Sequence, residues 1–212
     1  DMGCSPEFLP GYGHVSDANA REKFEQAWGS PIRVEAGMNA REMIKNVRAL
    51  YIVGEDILNT SPEAADIRKN LEACEFVVLQ EMAFSETTRY ADVILPNVSF
   101  AEKTGTFTST ERRVQMVHQA IEPIGEARPD WQIIAELGGR LGSGWDYAST
   151  AQIMDEIAAL TPIYAGISHD RLSRGERLQW PVESKAHNGT PILPLGLFSV
   201  GEVQWSVAEK IK

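Results

Sequence analysis

Three short apolar runs constrain the fold of this chain more than any other feature of its sequence. They cover residues 50–53 (LYIV), 76–79 (FVVL) and 93–95 (VIL). Each run is too short for a helix of ordinary length, and each stops at glycine, amide or proline residues. Continuous apolar runs of this kind are typical of strands in a parallel sheet that is covered on both faces. We therefore expect three strands, the first of them buried.

Helix signals occupy the stretches between these runs. Ser61-Pro62-Glu63 supplies an N-cap, a first-turn proline and a first-turn acid for a helix that reaches about Ala73. Ser85-Glu86 begins a shorter helix before the third run. Strands that alternate with helices at these spacings indicate βαβ units. The sequence therefore predicts an α/β fold with a mainly parallel sheet flanked by helices.

Two more helices are predicted before the first strand. Asp17 is placed to cap a helix over residues 18–28, and Gly29 follows that helix as a stop signal. Asn39 and Glu42 have the spacing of a capping box, which predicts a short helix ending near residue 48.

The pattern changes in the last third of the chain. Residues 129–130 (PD) open a helix, Thr150 opens another, and glycine, proline and serine become frequent from Pro162 onward. One face of the first of these helices carries Ile133, Ile134, Leu137 and Leu141. We expect two units, an α/β unit over 1–128 and a helical and irregular C-terminal segment over 129–212 that packs on the rest of a longer protein.

Bulk composition excludes several classes of protein. A net charge of −10 argues against a nucleic-acid partner, and no apolar run approaches the ~20 residues that span a bilayer. Cys4 and Cys74 lack the spacing of a disulfide framework, an iron–sulfur site or a zinc site, so we expect a reduced, cytoplasmic setting. Isolated histidines give no metal spacing either: His14, His118, His169 and His187.

Residues 102–115 (EKTGTFTSTERRVQ) combine one lysine, two arginines and five hydroxyl side chains around Gly105. Cationic and hydroxyl donors beside a flexible glycine suit a polyanion such as a pyrophosphate. The alternative is an exposed hairpin whose alternating threonine and phenylalanine favour strand. Composition alone leaves both interpretations open.

Acidic residues follow the first two predicted strands. Ligands of open parallel sheets bind beyond the carboxyl ends of the strands, and a carboxylate after the second strand can accept hydrogen bonds from ribose. Glu81 is thus a ribose candidate, and Asp56 a candidate for the base or sugar of a nucleotide. The alternative is that both are solvated loop acids. Because the glycine-rich G-x-G-x-x-G turn is absent, phosphate binding would fall to a side chain such as Lys103.

Residues 102–115 resemble the E-K-x-G-T-F-x-N-x-E-R-R-x-Q segment of the catalytic subunits of molybdenum- and tungsten-containing formate dehydrogenases, with Ser109 in place of the usual asparagine. These subunits are molybdopterin oxidoreductases with a bis(molybdopterin guanine dinucleotide) cofactor. The resemblance extends to residues 80–96 (QEMAFSETTRYADVILP), 121–134 (IEPIGEARPDWQII) and 189–193 (GTPIL). It implies a Rossmann-like sheet.

The same resemblance implies a set of cofactor-binding positions. Carried over position by position, the guanine dinucleotide contacts fall on Gly54, Glu55, Asp56, Gln80, Glu81, Lys103 and Asp130. Glu81 and Asp130 would accept hydrogen bonds from ribose or from the guanine amino edge, and Lys103 would offset phosphate charge. Asp56 stands where asparagine is frequent and so lacks an amide donor. Asp130 is equally a candidate N-cap of its own helix.

The function that the resemblance implies belongs to a longer protein. Such a protein oxidises formate to carbon dioxide and passes two electrons to molybdenum or tungsten and then to iron–sulfur centres. The family's metal-ligating cysteine or selenocysteine would lie upstream of Asp1, so we expect no catalytic residue, no metal ligand and no iron–sulfur ligand in this chain, and no activity from it alone. Expected partners are the remainder of the catalytic subunit and electron-transfer subunits, without nucleic acid or membrane insertion.

Two alternatives remain open on the sequence. The cofactor motifs are shared with assimilatory-type nitrate reductases, whose substrate would be different. A non-catalytic nucleotide-binding or interaction homologue, such as the large subunit of respiratory complex I, is an alternative of another class.

Overall fold

The computed structural model describes residues 6–11 and 13–192. The strands in these ranges form two three-stranded sheets. Cys4 and the last residue of the 189–193 motif lie outside the described residues. The helices are α1 (Ala18–Trp28), α2 (Ala40–Asn46), α3 (Ile57–Thr60), α4 (Ala64–Ala73), α5 (Asp130–Arg140), α6 (Thr150–Leu160) and α7 (His169–Ser173). The strands are β1 (Ala49–Val53), β2 (Phe76–Glu81), β3 (Val93–Pro96), β4 (Gly105–Thr108), β5 (Arg113–Val117) and β6 (Leu178–Gln179).

The first sheet is parallel, in the order β1-β2-β3. Ile52 pairs with Leu79, and Leu79 pairs with Ile94. Because all three strands run in one direction, their carboxyl ends meet at one edge of the sheet. The predicted α/β fold with a parallel sheet flanked by helices is therefore confirmed.

One face of this sheet carries the core of the α/β unit. Its buried residues come from β1, β2, α3 and α4: Ile52, Leu58, Ile67, Leu71, Val77 and Leu79. Alternate residues of β1 point to the other face, where Tyr51 is 38% exposed and Val53 is 42% exposed. The prediction of a buried first strand was wrong, because only one face of the strand packs against the core within the described residues.

Local sequence signals predicted most of the helices, but the structure differs from these predictions in three places. Asn39 and Glu42 form the predicted capping box, although α2 ends at Asn46 rather than near residue 48. The prediction of Ser61 as an N-cap was wrong, since α4 begins only at Ala64. The chain instead forms the extra turn α3. The short helix expected at 85–86 is a 3₁₀ turn over Thr87–Tyr90.

The second sheet contains the hairpin that was one interpretation of residues 102–115. Strand β4 pairs antiparallel with β5, and β5 pairs with β6 from the C-terminal part of the chain. At the hairpin turn, Arg112 has a φ of 68°, and Arg113 forms an ion pair with Glu111 at 2.9 Å. Side chains from β5, α6, α7, β6 and the loops beside α7 and β6 share one apolar cluster: Val114, Met154, Ile167, Leu172, Leu178 and Val182. The boundary predicted at residue 128 stays a prediction.

Because only one face of the parallel sheet packs against the core, two of its valines should differ in how much stability is lost when each is replaced by alanine. Val77 is 1% exposed on the core face, whereas Val53 is largely exposed on the other. Val77→Ala should lower the free energy of unfolding by about 2 kcal/mol, because it removes two buried methyl groups and leaves a cavity. The matched control Val53→Ala should cost less than about 1 kcal/mol. Urea denaturation measures both, and equal losses would contradict the assignment of the core face.

Candidate functional site

Three loops converge at the edge where the parallel strands end. Gly54 follows β1 with a φ of 63°, a left-handed conformation that suits glycine. Its N–H donates to the carbonyl of Gln80 at 2.9 Å, which ties the loop after β1 to the end of β2. Glu81 ends β2, and Asn97 directly follows β3. This is the edge where open parallel sheets bind ligands.

A cluster of polar side chains forms at this edge around the carboxylate of Asp130. Gln80 Nε2 donates to Asp130 Oδ1 at 2.8 Å, and Asn97 Nδ2 donates to the same oxygen. The ammonium of Lys103 forms an ion pair with Asp130 Oδ2. The structure thus brings together three of the predicted cofactor-binding residues, Gln80, Lys103 and Asp130. We call these three and Asn97 the Asp130 cluster.

Asp130 does not cap its helix. The N-cap position of α5 is held by Pro129, and Asp130 is the first helical residue, so its side chain is available to the cluster. A negative charge in the first turn is also stabilised by the helix dipole.

Burial and hydrogen bonding act in opposite directions on Asp130. Burial is the largest single influence and raises the pKa of this carboxyl. Hydrogen bonds from Lys103, Asn97 and Gln80, with the positive charge of Lys103, together outweigh it and leave the pKa lowered. The carboxylate is therefore held in its charged form. Burial also raises the pKa of the Tyr51 hydroxyl, and the charge of Asp130 adds to that effect.

The site contains two residues that the sequence did not identify, Tyr51 and Asn97. Tyr51 donates its hydroxyl hydrogen to Gln80 Oε1, which turns the amide nitrogen of Gln80 towards Asp130. Asn97 must also present its nitrogen to the ionised carboxylate, because a carboxylate only accepts. Asn97 Oδ1 is consequently left buried, with no hydrogen-bond partner among the described residues. The sequence did contain a signal for Asn97, because this residue directly follows the third strand. The rule that ligands bind beyond the carboxyl ends of parallel strands, which selected Glu81, would also have selected Asn97.

Asp56 is bound to neighbouring residues of the chain. Its carboxylate accepts from Thr87 Oγ1 at 2.6 Å, from the Thr87 N–H at 3.3 Å and from Asn59 Nδ2 at 2.5 Å. The hydrogen bond from Thr87 is the main cause that lowers the pKa of Asp56, with Asn59 adding to it. These bonds fix the loop after β1. Contact of Asp56 with a nucleotide stays a prediction.

The two remaining predicted acids make local hydrogen bonds. Glu55 accepts from the hydroxyl of Thr60, and Glu81 Oε1 accepts from the N–H of Met82 at 2.8 Å. Glu55 is exposed and Glu81 is partly exposed. Their roles towards a cofactor also stay predictions.

A cleft of about 280 Å³ opens beside the Asp130 cluster. Lys103 and Asp130 border it, and apolar residues of the hairpin and of helices α5 and α6 form most of its walls. The described residues contain no group of three or more His, Cys, Asp or Glu side chains that could hold a metal ion. No helix within the described ranges is long and apolar enough to cross a membrane.

A family model for molybdopterin oxidoreductases matches residues 18–140, which include all three parallel strands and the Asp130 cluster. The chain belongs to the molybdopterin oxidoreductase family. It is 41% identical over 97% of its length to YjgC, provisionally named an oxidoreductase, from Bacillus subtilis. It is also 41% identical over 94% of its length to a provisionally named formate dehydrogenase from Staphylococcus aureus.

Both relatives are much longer proteins. The chain spans 22% of the Bacillus protein and 21% of the Staphylococcus protein, so it corresponds to about a fifth of each. Among solved structures, the chain is similar to acetylene hydratase from Pelobacter acetylenicus, with a TM-score of 0.53 and 17% sequence identity. The match covers 82% of this chain and 25% of the acetylene hydratase chain. That likeness supports the fold.

The lowered pKa of Asp130 predicts how the cluster contributes to stability. A carboxyl whose pKa is lower in the folded than in the unfolded state stabilises the fold above its unfolded pKa and loses that contribution as the pH falls through its folded pKa. Asp130→Asn should therefore reduce the free energy of unfolding near pH 6, and the gap to the wild type should shrink towards about pH 3.

Urea denaturation across this pH range measures that gap. Asp146→Asn, which removes an exposed carboxylate from the segment between α5 and α6, is the matched control, and its free energy of unfolding should stay close to that of the wild type across the range. A gap between wild type and Asp130→Asn that stays constant with pH would contradict the charged state assigned to Asp130.

Proposed function

We propose that this chain is the guanine dinucleotide-binding segment of a longer molybdopterin-dependent formate dehydrogenase, which oxidises formate to carbon dioxide. Membership of the molybdopterin oxidoreductase family supports the cofactor class. The name of the Staphylococcus relative supports the substrate. The observation that carries the proposal is the convergence of Gln80, Asn97 and Lys103 on the carboxylate of Asp130 at the carboxyl edge of a parallel sheet.

The hydrogen-bonding groups of these residues fit a nucleoside diphosphate. An ammonium group has three donors, and Lys103 uses one of them on Asp130, so two remain for phosphate oxygens. A carboxylate has about four acceptor positions, and Asp130 fills three of them within the chain. The fourth suits a ribose hydroxyl or a base amino group.

The other predicted residues would complete the cradle. Glu81 stands at the end of β2, where its free acceptor positions can serve ribose, and the loop over Gly54, Glu55 and Asp56 forms the adjoining rim. When bound, the cofactor, with molybdenum or tungsten, would supply the two-electron redox chemistry. The residues of this chain would bind and orient its nucleotide end.

Turnover and electron transfer are assigned to the longer protein. The metal ligand and the iron–sulfur cluster would come from its other parts, and separate electron-transfer subunits would accept the electrons. The remainder of the catalytic subunit is then the principal partner of this chain.

A direct test is nucleotide binding by the chain. GDP should shift NMR signals around Glu81, Lys103 and Asp130 more than AMP does, since GDP carries the base and diphosphate of the proposed ligand. Lys103→Met should weaken GDP binding by about 10- to 100-fold, as expected for a lost charge-assisted hydrogen bond.

Lys69→Met, which removes an exposed charge of α4, is the control for net charge and should leave GDP affinity unchanged. Equal shifts with GDP and AMP, or equal losses in the two lysine variants, would count against a preformed guanine nucleotide site.

A further inference from the structure

A second cleft, of about 550 Å³, lies beside strand β5. Residues of β5 form one wall, and the end of α7 with the segment that leads to β6 forms the other. We call this space the β5 cleft, and it shares no lining residue with the cleft that Lys103 and Asp130 border. Its polar and charged side chains are Glu111, Arg113, Gln115, His118, Ser173, Glu176 and Arg177.

We propose that the β5 cleft binds the phosphoryl group of a small phosphorylated molecule and that Arg113 and Arg177 hold this group. The inference does not depend on the proposed function, because none of the residues assigned to the guanine dinucleotide lines this cleft.

The first argument is the position of the two arginines on the second sheet. Strands β5 and β6 are antiparallel, with Arg113 opposite Gln179. Continued by two residues, this register places Arg177 opposite Gln115. Residues two apart on a strand share a face, so Arg113 and Arg177 are diagonal neighbours on one face, about 7–8 Å apart. Two side chains as long as arginine can reach one phosphoryl group from that separation.

The second argument is that the acids of the cleft are already paired within the chain. Glu176 forms ion pairs with the buried Arg171 at 2.6 Å and with Arg174 at 3.7 Å. The hydrogen bond from Arg171 is the main cause that lowers the pKa of Glu176, so this acid stays charged and paired. Glu111 accepts a hydrogen bond from Arg113 Nε at 2.9 Å. This pairing offsets the negative charge with which the two acids would otherwise repel an anion.

The third argument is the set of side-chain donors that remains. Arg113 uses Nε on Glu111, and its two terminal nitrogens make no hydrogen bond within the described ranges. Arg177 is exposed and has neither a hydrogen bond nor an ion pair with any described residue. The guanidinium fork matches phosphate geometry. Four N–H donors of Arg113 and five of Arg177 suit the three terminal oxygens of a phosphate monoester better than the two oxygens of a carboxylate.

A backbone donor faces the same space. The Trp180 N–H donates to the carbonyl of Arg112, and the backbone groups of successive residues alternate between the two sides of a strand. The groups of Arg112, Val114 and Met116 therefore face the β6 side, but the pairing with β6 stops at Val114. The N–H of Met116 is thus directed to the side where the β5 cleft lies, and Met116 lines that cleft. Backbone N–H groups are strong donors to oxyanions.

Charge and size also agree with this ligand. Four arginines and three acids belong to the cleft and its ion pairs, which leaves one positive charge in excess within a chain of net charge −10. They are Arg113, Arg171, Arg174, Arg177, Glu111, Asp170 and Glu176. The volume of about 550 Å³ is in the range of small-molecule pockets, so there is room for an organic part beside the phosphoryl group.

An NMR titration of the chain at low ionic strength tests the inference, with inorganic phosphate, glycerol 3-phosphate and formate as probes. Both phosphates should shift the amide signals of Met116, Ser173 and Gly175, and formate should shift them much less. Arg177→Met should weaken phosphate binding by about 10- to 100-fold, as expected for a lost charge-assisted hydrogen bond. Arg177→Lys keeps the charge without the fork, so its loss should be smaller.

The control is Arg33→Met, which removes an exposed arginine outside the cleft and changes the net charge by the same amount. It should leave phosphate binding unchanged. Equal losses in Arg33→Met and Arg177→Met would overturn the inference, because the attraction would then be non-specific.

Three other results overturn it as well. Formate shifts as large as those of phosphate would show that the cleft does not select a phosphoryl group. Binding of inorganic phosphate without glycerol 3-phosphate would show that the cleft has no room for a phosphorylated molecule. If phosphate shifts only the signals of Lys103 and Asp130, or none, the β5 cleft is not a phosphate site, and the proposed function is unaffected.

Discussion

The charged carboxylate of Asp130 is the interaction on which the carboxyl edge of the sheet depends. A partly buried charge is costly unless donors surround it, and here the donors come from β2, from the loop after β3 and from the segment before the hairpin. Because Asp130 opens α5, these bonds also fix the start of that helix against the sheet. One side chain thus joins four parts of the chain at the place where the topology favours a ligand. The donors of Lys103 and the acceptor position of Asp130 that the chain leaves unused are available there to a nucleotide.

One face of the parallel sheet is left largely uncovered within the described residues. Parallel sheets are ordinarily covered on both faces, yet Tyr51, Val53, Phe76 and Val93 are exposed on the face opposite the core. The chain spans about a fifth of the length of its relatives, and under the proposed function the rest of the catalytic subunit would cover this face. The hydrogen bond from Tyr51 to Gln80 links the exposed face to the Asp130 cluster.

Local rules predicted the parts of this fold that depend on neighbours in sequence. The capping box at Asn39 and the three short strands follow from spacing and side-chain type alone, and the hairpin was one of the two interpretations that composition left open. The exposure of β1 could not be predicted, because it depends on which face the helices cover. The start of α4 was predicted too early, because the proline and acid at 62–63 lie in a turn that precedes the helix. In the site, the family motif supplied Gln80, Lys103 and Asp130, whereas the roles of Tyr51 and Asn97 arise only from the pairing of strands and loops in space.

A crystal structure of the chain with GDP tests the central claim most directly. The account predicts nucleotide density at the carboxyl edge of the parallel sheet, with phosphate oxygens within hydrogen-bond distance of Lys103 Nζ and a ribose or base donor on Asp130. Density for GDP at another surface, with the Asp130 cluster unchanged, would contradict the assignment of this edge as the nucleotide site.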